Sequence, residues 1–428
     1  MTARKYLCVL LAAALLCGCG SASDSSSGAS SAKKTESEIL DSSETEQSEN
    51  SDSTSKPVKL SEGVPVCTEQ GSEIGFVDIR DGLATLTPQG IVYSRADTVG
   101  EAQSLGADID RMDYFLFDPE TGESRLLGSI EEFEYECGFS RVLHDGHLYV
   151  LASTGNVYED DQCVQKIFDI DLKACTMSEI YSGLDPTVYG GMALLGGKLF
   201  FIQGSGRRVT ALDLQSGTTR TVAEFSFDDG SNSGELIRQL CVDGDSLCLL
   251  RLKMSGESDV GLYIDRCSPD GTLQESLDIS GISRDIQNFT DDDKISELRM
   301  PVSGFRVSGK AFYYENFSTC RYLGEVTDSG LTAYYDCTTL PNSDVGEFTQ
   351  ALQPAGSEPL FFWSLNMEGS LLRLKDGKLT EDHLTPPEGE WALMQVSSCG
   401  DAVLALYSDF DNSHRGDDGE RPMRFVLR

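Results

Sequence analysis

Between Gly196 and Val222 the chain writes out a complete hairpin plan. Gly196-Gly197 leads into Lys198-Leu199-Phe200-Phe201-Ile202 and a short link. Then come Arg208-Val209-Thr210-Ala211-Leu212-Asp213-Leu214, the turn Gln215-Ser216-Gly217, and Thr218-Thr219-Arg220-Thr221-Val222. Short apolar runs bounded by glycine and aspartate turns are strand signals, and long runs of helical period are scarce after residue 58. The same plan recurs along the chain. Tight turns between apolar arms stand at Pro88-Gln89-Gly90, Asp145-Gly146, Gly196-Gly197, Asp243-Gly244-Asp245, Ser308-Gly309, Gly356-Ser357 and Cys399-Gly400, spaced 43 to 65 residues apart. A second turn follows in most units, often behind an aspartate: Asp118-Pro119-Glu120-Thr121-Gly122, Asp171-Leu172-Lys173-Ala174, Asp213 to Gly217, Pro269-Asp270-Gly271, Asp328-Ser329-Gly330 and Asp376-Gly377. Glycine supplies the positive φ these turns require, and aspartate caps the turn backbone through its side chain.

Each unit therefore reads as strand, turn, strand, loop, strand, turn, strand. In the second unit the strands fall near Phe139–Leu143, His147–Ala152, Val164–Ile170 and Thr176–Tyr181. Four-stranded antiparallel units repeated at this spacing predict an all-β fold, a single β-propeller over residues 58–428. Seven blades are expected, with six or eight as the neighbouring counts. The last unit holds only Ala392–Ser397, Ala402–Ser408 and Met423–Arg428, while Ile74-Gly75-Phe76-Val77-Asp78-Ile79 precedes the first unit and is spare. The expectation is that this N-terminal strand completes the last blade and closes the ring, which removes exposed sheet edges.

The strand-Asp-Leu-x-x-Gly hairpin at Ala211-Leu212-Asp213-Leu214-Gln215-Ser216-Gly217 resembles that of quinoprotein-like and YVTN-like bacterial β-propellers, and the likeness extends over most of residues 58–428. The resemblance implies a propeller and does not select an activity. The tryptophan docking motif of quinoprotein repeats is missing, since the only tryptophans are Trp363 and Trp391. No quinone or other cofactor is expected.

The N-terminus reads as an export leader. Arg4 and Lys5 give a positive start, and Leu7 to Leu16 is an apolar run too short to span a bilayer. The run ends in Leu16-Cys17-Gly18-Cys19, which resembles the lipobox of bacterial lipoproteins, with Gly18 as the small residue before the acceptor. The resemblance implies that residues 1–18 are a signal peptide, that Cys19 is lipidated, and that acyl chains anchor the protein at the bacterial cell surface or in the periplasm. Residues 19–57 then form a tether. It is rich in serine and acidic residues and almost free of apolar ones, so it lacks the surface to bury that ordering requires. Its coil reach is about 35 Å.

The formal net charge of -36 argues against nucleic acid, whose phosphates need a basic footprint. The acidic residues gather in the loops expected on one side of the disc: Ala96–Arg111, Ser129–Cys137, Phe227–Glu235, Gly281–Pro301, Thr338–Gly346 and Asp409–Glu420. On that side are expected Glu131, Glu132, Glu134, Glu136, Glu159, Asp160, Asp161, Asp228, Asp229, Asp291, Asp292 and Asp293. Loops presented by a rigid scaffold carry function. This side is the expected binding face, favouring a basic peptide, an amine or a metal cation.

Asp409, Asp411, Asp417 and Asp418 are the candidate oxygen ligands for a calcium ion, although the glycine and glutamate offsets of an EF-hand are absent. The four histidines show no zinc-ligand spacing. No nucleophile elbow, phosphate loop or dinucleotide fingerprint occurs, so no catalytic residue is assigned. Two cysteine pairs sit symmetrically about turns and are disulfide candidates: Cys320 with Cys337 about Asp328-Ser329, and Cys241 with Cys248 about Gly244-Asp245. A one-residue bulge would spoil either match. Free, buried cysteine is the alternative.

The leading expectation is a monomeric, membrane-anchored lipoprotein whose propeller binds or scaffolds a protein, peptide or glycan through its acidic loops. A glycan-active enzyme with paired carboxylates and the solute-binding lipoprotein of an importer are the alternatives.

Overall fold

The computed structural model describes residues 64–65, 84–98, 109–118, 121–155, 163–185, 187, 190–256, 259–282, 302–316, 321–327, 330–336, 349–351, 360–365, 368–375, 378–384, 391–399, 402–409 and 423–427. All lie in the unit Pro57–Arg428. The first strand is β1 (Val64–Pro65). Sheet 1 follows with β2 (Ala84–Thr87), β3 (Gly90–Thr98), β4 (Ile109–Asp118) and β5 (Glu123–Glu131). Sheet 2 contains β6 (Phe133–His144), β7 (His147–Thr154), β8 (Val164–Asp171) and β9 (Thr176–Leu184). Sheet 3 contains β10 (Met192–Leu195), β11 (Lys198–Gln203), β12 (Arg208–Asp213) and β13 (Thr219–Glu224).

Sheet 4 has five strands: β14 (Phe227–Asp228), β15 (Ser233–Asp243), β16 (Ser246–Ser255), β17 (Asp259–Cys267) and β18 (Leu273–Asp278). Sheet 5 has β19 (Val302–Ser308), β20 (Ala311–Asn316), β21 (Arg321–Thr327) and β22 (Gly330–Asp336). Sheet 6 has β23 (Thr349–Ala351), β24 (Leu360–Leu365), β25 (Glu368–Lys375) and β26 (Lys378–Leu384). Sheet 7 joins β27 (Trp391–Cys399), β28 (Ala402–Asp409) and β29 (Met423–Leu427) to β1. The fold is all-β, built of antiparallel sheets whose strands follow one another in chain order except where β1 joins sheet 7 beside β29.

The apolar runs explain this arrangement. A strand buried on one face alternates apolar and polar residues, whereas one buried on both faces is apolar throughout. β7 is of the second kind. Leu148, Val150 and Ala152 pack with the core of sheet 1, while Tyr149 and Leu151 pack with Met192, Leu199 and Phe201 of sheet 3. β11 divides in the same way: Leu199 and Phe201 face sheet 2, and Phe200 and Ile202 face Ile237 and Leu249 of sheet 4. In β16, Leu247 and Leu249 face sheet 3, and Leu250 and Leu252 face Phe305 and Phe312 of sheet 5. Sheets 1 to 5 thus stack face to face in sequence order. The outer strands β5, β9, β13 and β18 are instead largely solvent-facing, as in Thr219–Glu224.

The turns follow the residues that build them. Asp145 and Gly146 both have positive φ, as do Gly196 and Gly197, the geometry of a two-residue hairpin whose twist matches its strands. Asp213 closes its turn by accepting from the Ser216 N–H at 2.9 Å and the Ser216 hydroxyl at 2.9 Å. Asp171 accepts from the N–H groups of Lys173 and Ala174.

Three sequence expectations are corrected. Ser129–Cys137 is not a loop: β5 and β6 meet across Glu132 alone, held at a φ of 52°. Phe227–Glu235 is a hairpin that adds β14 to sheet 4, so that sheet exceeds four strands. The strand pairing with β29 is Val64–Pro65, with Val64 opposite Phe425 and Pro65 opposite Arg424. The expected Ile74–Ile79 strand lies outside the described residues.

Candidate functional site

Antiparallel order puts the connections at two ends. Counting sheet 4 from β15, one end carries the links between first and second strands and between third and fourth strands. Most of these are tight, as at 88–89, 145–146, 196–197, 244–245, 309–310 and 328–329. The other end carries the remaining connections, among them 99–108, 279–301, 337–348 and 410–422, which are the longest between described strands from β2 onward. Chain length, and with it freedom to build a surface, is concentrated at this second end.

The described part of that end lies over sheets 2 to 4. Asp185 is its centre, at 2% exposure. Its carboxylate accepts from the Thr187 N–H at 2.9 Å and from the Gly204 N–H at 3.0 Å on each oxygen, and it meets Arg208 Nη2 at 3.5 Å. Thr187 Oγ1 accepts from the Ser205 N–H at 2.7 Å. Gln203 joins in: its Nε2 donates to the Tyr181 hydroxyl at 2.8 Å and its Oε1 accepts from Thr210 at 2.6 Å. The segment entering sheet 3 is thereby fixed to the turn between β11 and β12. Arg207 extends the network to sheet 4 by donating to Asp229 at 2.7 Å. Gly206 completes the join, since its carbonyl accepts from the Ile237 N–H at 2.8 Å.

One buried acceptor beside this network has no hydrogen-bond partner in the structure. Gln165, at 1% exposure, donates through Nε2 to the Ile202 carbonyl at 3.0 Å, and its Oε1 is unsatisfied. Gln239, fully buried, accepts from the Leu240 N–H and donates to the Val302 carbonyl, linking β15 to β19.

The acidic residues expected on this face take several positions. Glu131 and Glu132 are exposed. Glu136 points inward at 3% exposure and pairs with Arg141, which is 6% exposed. Arg141 also donates to Thr85 at 3.2 Å and Ser94 at 3.1 Å, and the Tyr114 hydroxyl donates to Glu136 at 2.6 Å. Burial, reinforced by Glu136, pushes the Tyr114 phenol well above its ordinary range. This cluster ties sheet 1 to sheet 2 and is closed to ligands. Asp228 is occupied by its own turn: the Ser231 hydroxyl and the Gly230 N–H hold its carboxyl below the usual range. Asp229 is paired with Arg207.

Asp409 ends β28 opposite Trp391, and Asp411, Asp417 and Asp418 lie outside the described residues. Among the described residues no three His, Cys, Asp or Glu side chains converge as metal ligands. His147 Nδ1 sits 2.8 Å from Asp169 across β7 and β8, at the short-turn end.

Cys241 faces Cys248 across the β15–β16 ladder, and both are free thiols. Cys320 and Cys337 lie outside the described residues. The nearby ladder shifts between Glu325 and Val326, so that Tyr322 faces Asp336, one residue away from the register that would oppose Cys320 to Cys337. Cys19 also lies outside the described residues.

No protein-family model and no curated protein matches the chain. Among solved structures, it is similar to a chain in the crystal structure of the Mitotic Checkpoint Complex, at 9% identity and a TM-score of 0.44, covering 92% of this chain and 99% of that one. It is also similar to a protein from Bacteroides fragilis NCTC 9343 provisionally described as a 6-phosphogluconolactonase, at 14% identity and a TM-score of 0.43, covering 80% of this chain and 99% of that one.

Proposed function

We propose that this protein is an extracytoplasmic lipoprotein, anchored through Cys19, whose β-propeller binds a partner protein, peptide or glycan at its long-loop end. The asymmetry between the two ends of the sheets carries the reading. Tight turns occupy most of one end, while 99–108, 279–301, 337–348 and 410–422 all open at the other. A scaffold that fixes strands and frees loops on one side is organised for recognition.

Seven blades in a closed ring are the architecture proposed for that scaffold. Seven sheets support the count. Contacts between β6 and β10, β10 and β15, β15 and β19, and β19 and β23 support first strands gathered about one axis, and β6 also nears β19. Closure is supported by contact between β2 and β27, by the Leu86 N–H donating to Ser397 Oγ at 3.0 Å, and by Leu404 packing in the core of sheets 1 and 2.

The proposed ligand is cationic or rich in hydroxyl groups. The chain carries a net charge of -36, and acidic groups such as Asp291, Asp292 and Asp293 fall in the long connections, with Glu159, Asp160 and Asp161 in the connection between β7 and β8.

The test has two stages. Cells expressing the full chain are fed a clickable palmitate. The wild type should take the label and sediment with membranes, and Cys19→Ser should do neither. An unlabelled, soluble wild type removes the anchor from the reading. The purified full chain is then probed against arrays of peptides and glycans. Retention weakened by raised salt supports recognition of a cationic peptide, salt-independent glycan retention supports a carbohydrate, and cleavage of an arrayed glycan replaces binding by catalysis.

A further inference from the structure

Sheet 4 brings two thiols face to face. Cys241 of β15 is the register partner of Cys248 of β16, in a ladder that runs unbroken from Gln239–Leu250 to Asp243–Ser246. The turn between these strands is Gly244–Asp245, which makes Asp243–Ser246 a hydrogen-bonded pair. Such pairs alternate along an antiparallel ladder, so Cys241–Cys248 is the next one. Its Cα atoms are about 5.5 Å apart in that geometry, within the span of a disulfide. The side chains are buried at 3% and 0% exposure, so the two thiols are enclosed side by side in the sheet.

The surroundings favour the reactive form at one of them. Burial pushes the Cys241 thiol up, but the Cys248 thiol, the Arg306 guanidinium and the Val307 N–H outweigh it and hold Cys241 below its ordinary value. Cys248 is raised by the neighbouring Cys241 and by burial. Asp243 opposes ionisation of both thiols, and Arg266 favours it at Cys248. Arg266 and Asp243 themselves form an ion pair at 2.7 Å, and Asp243 accepts from the Gly309 N–H at 3.0 Å, which holds this hairpin against sheet 5. The third cysteine of the sheet does not compete. Cys267 pairs with Leu247, packs in the core shared with sheet 3, and is pushed by burial up to about 11.

We propose that Cys241 and Cys248 close a disulfide across the β15–β16 hairpin when the chain folds where a disulfide oxidant is present. The Cys241 thiolate attacks one sulfur of the oxidant and expels the other as a thiolate. Cys248 loses its proton and attacks the mixed disulfide at the Cys241 sulfur, releasing the second thiolate. One S–S bond forms in the hairpin and one is lost from the oxidant. Two electrons pass to the oxidant, and the two thiol protons leave to its thiolates and to water. The proposal is independent of the reading of ligand and anchor.

Trypsin makes the test direct. No Lys or Arg lies between Arg238 and Arg251, so both cysteines fall in the peptide Gln239–Arg251. The full chain is reduced and unfolded, refolded with reduced and oxidised glutathione, alkylated and digested. The expected peptide is unalkylated, lighter by two hydrogens than the dithiol form, and takes two alkyl groups after reduction. A doubly alkylated peptide from the refolded chain overturns the proposal, as does one left carrying glutathione or joined to another cysteine peptide. Melting supplies a second reading. A reductant should lower the melting temperature of the wild type more than that of the double variant Cys241→Ala, Cys248→Ala, and equal shifts overturn the assignment. If the double variant does not fold, the peptide alone decides.

Discussion

Arg141 shows how much one side chain can hold. It pairs with buried Glu136, reaches Thr85 and Ser94 in sheet 1, and lies with its guanidinium carbon 5.6 Å from the centroid of the Tyr114 ring. Replacing Arg141 with Met leaves the Glu136 carboxylate buried without its cation, a change worth about 3–5 kcal/mol. Denaturant unfolding should show a loss of that size for Arg141→Met. The companion variant Arg141→Met, Glu136→Leu should recover much of it, because the buried charge goes with its partner. Equal losses in both chains would assign the effect to packing. None of this was legible in the sequence, where Glu136 reads as one more acid in an acidic segment. Nothing local announces that β5 passes into β6 with a single residue between them, turning Glu136 inward. The facing of Cys241 and Cys248 was legible, since a two-residue turn leaves the hairpin no choice of register. For Cys320 and Cys337 the same argument meets the shift at Glu325 and Val326, which spacing alone does not reveal.

At the scale of elements, the join between sheets 3 and 4 includes a backbone contact that leaves no room for a side chain. Gly206 has a φ of 92°, and a Cβ built on it would stand 2.5 Å from the Ile237 carbonyl oxygen. Gly206→Ala combines a left-handed strain with a clash against backbone that cannot swing aside. The expected cost is at least about 1–3 kcal/mol, read as a lowered unfolding midpoint. Hydrogen exchange should show the Ile237 amide losing protection before the centre of β16, and uniform loss would argue against a local join. The second strands of the sheets could be read directly, because β7, β11 and β16 contain the unbroken apolar runs Leu148–Ala152, Leu199–Ile202 and Leu247–Leu250 and so must be covered on both faces. β14 could not be, because two residues of strand inside a polar loop leave no periodicity to detect.

The whole molecule depends on how its ends meet. β1 gives sheet 7 its fourth strand with only the rungs Val64–Phe425 and Pro65–Arg424, and proline brings no N–H to a ladder. In the proposed ring, a chain beginning at Ala84 leaves β29 as a bare edge. Such a chain should melt below the full-length protein and self-associate in light scattering, since an unpaired edge recruits strands. A monomer of unchanged melting temperature would show that β1 contributes nothing to closure. The repeat foretold that an N-terminal strand would be spare, but not which one, because Ile74–Ile79 is the more apolar choice. The pairing also has a mechanical meaning. A pull applied to the N-terminal segment enters this unit through Val64 and Pro65 and meets two rungs, whereas β15 and β16 share a ladder from Ser233–Ser255 to Asp243–Ser246. Under tension the first event is the detachment of β1 from β29 while the longer ladders remain intact, which makes this short pairing the molecule's mechanical fuse.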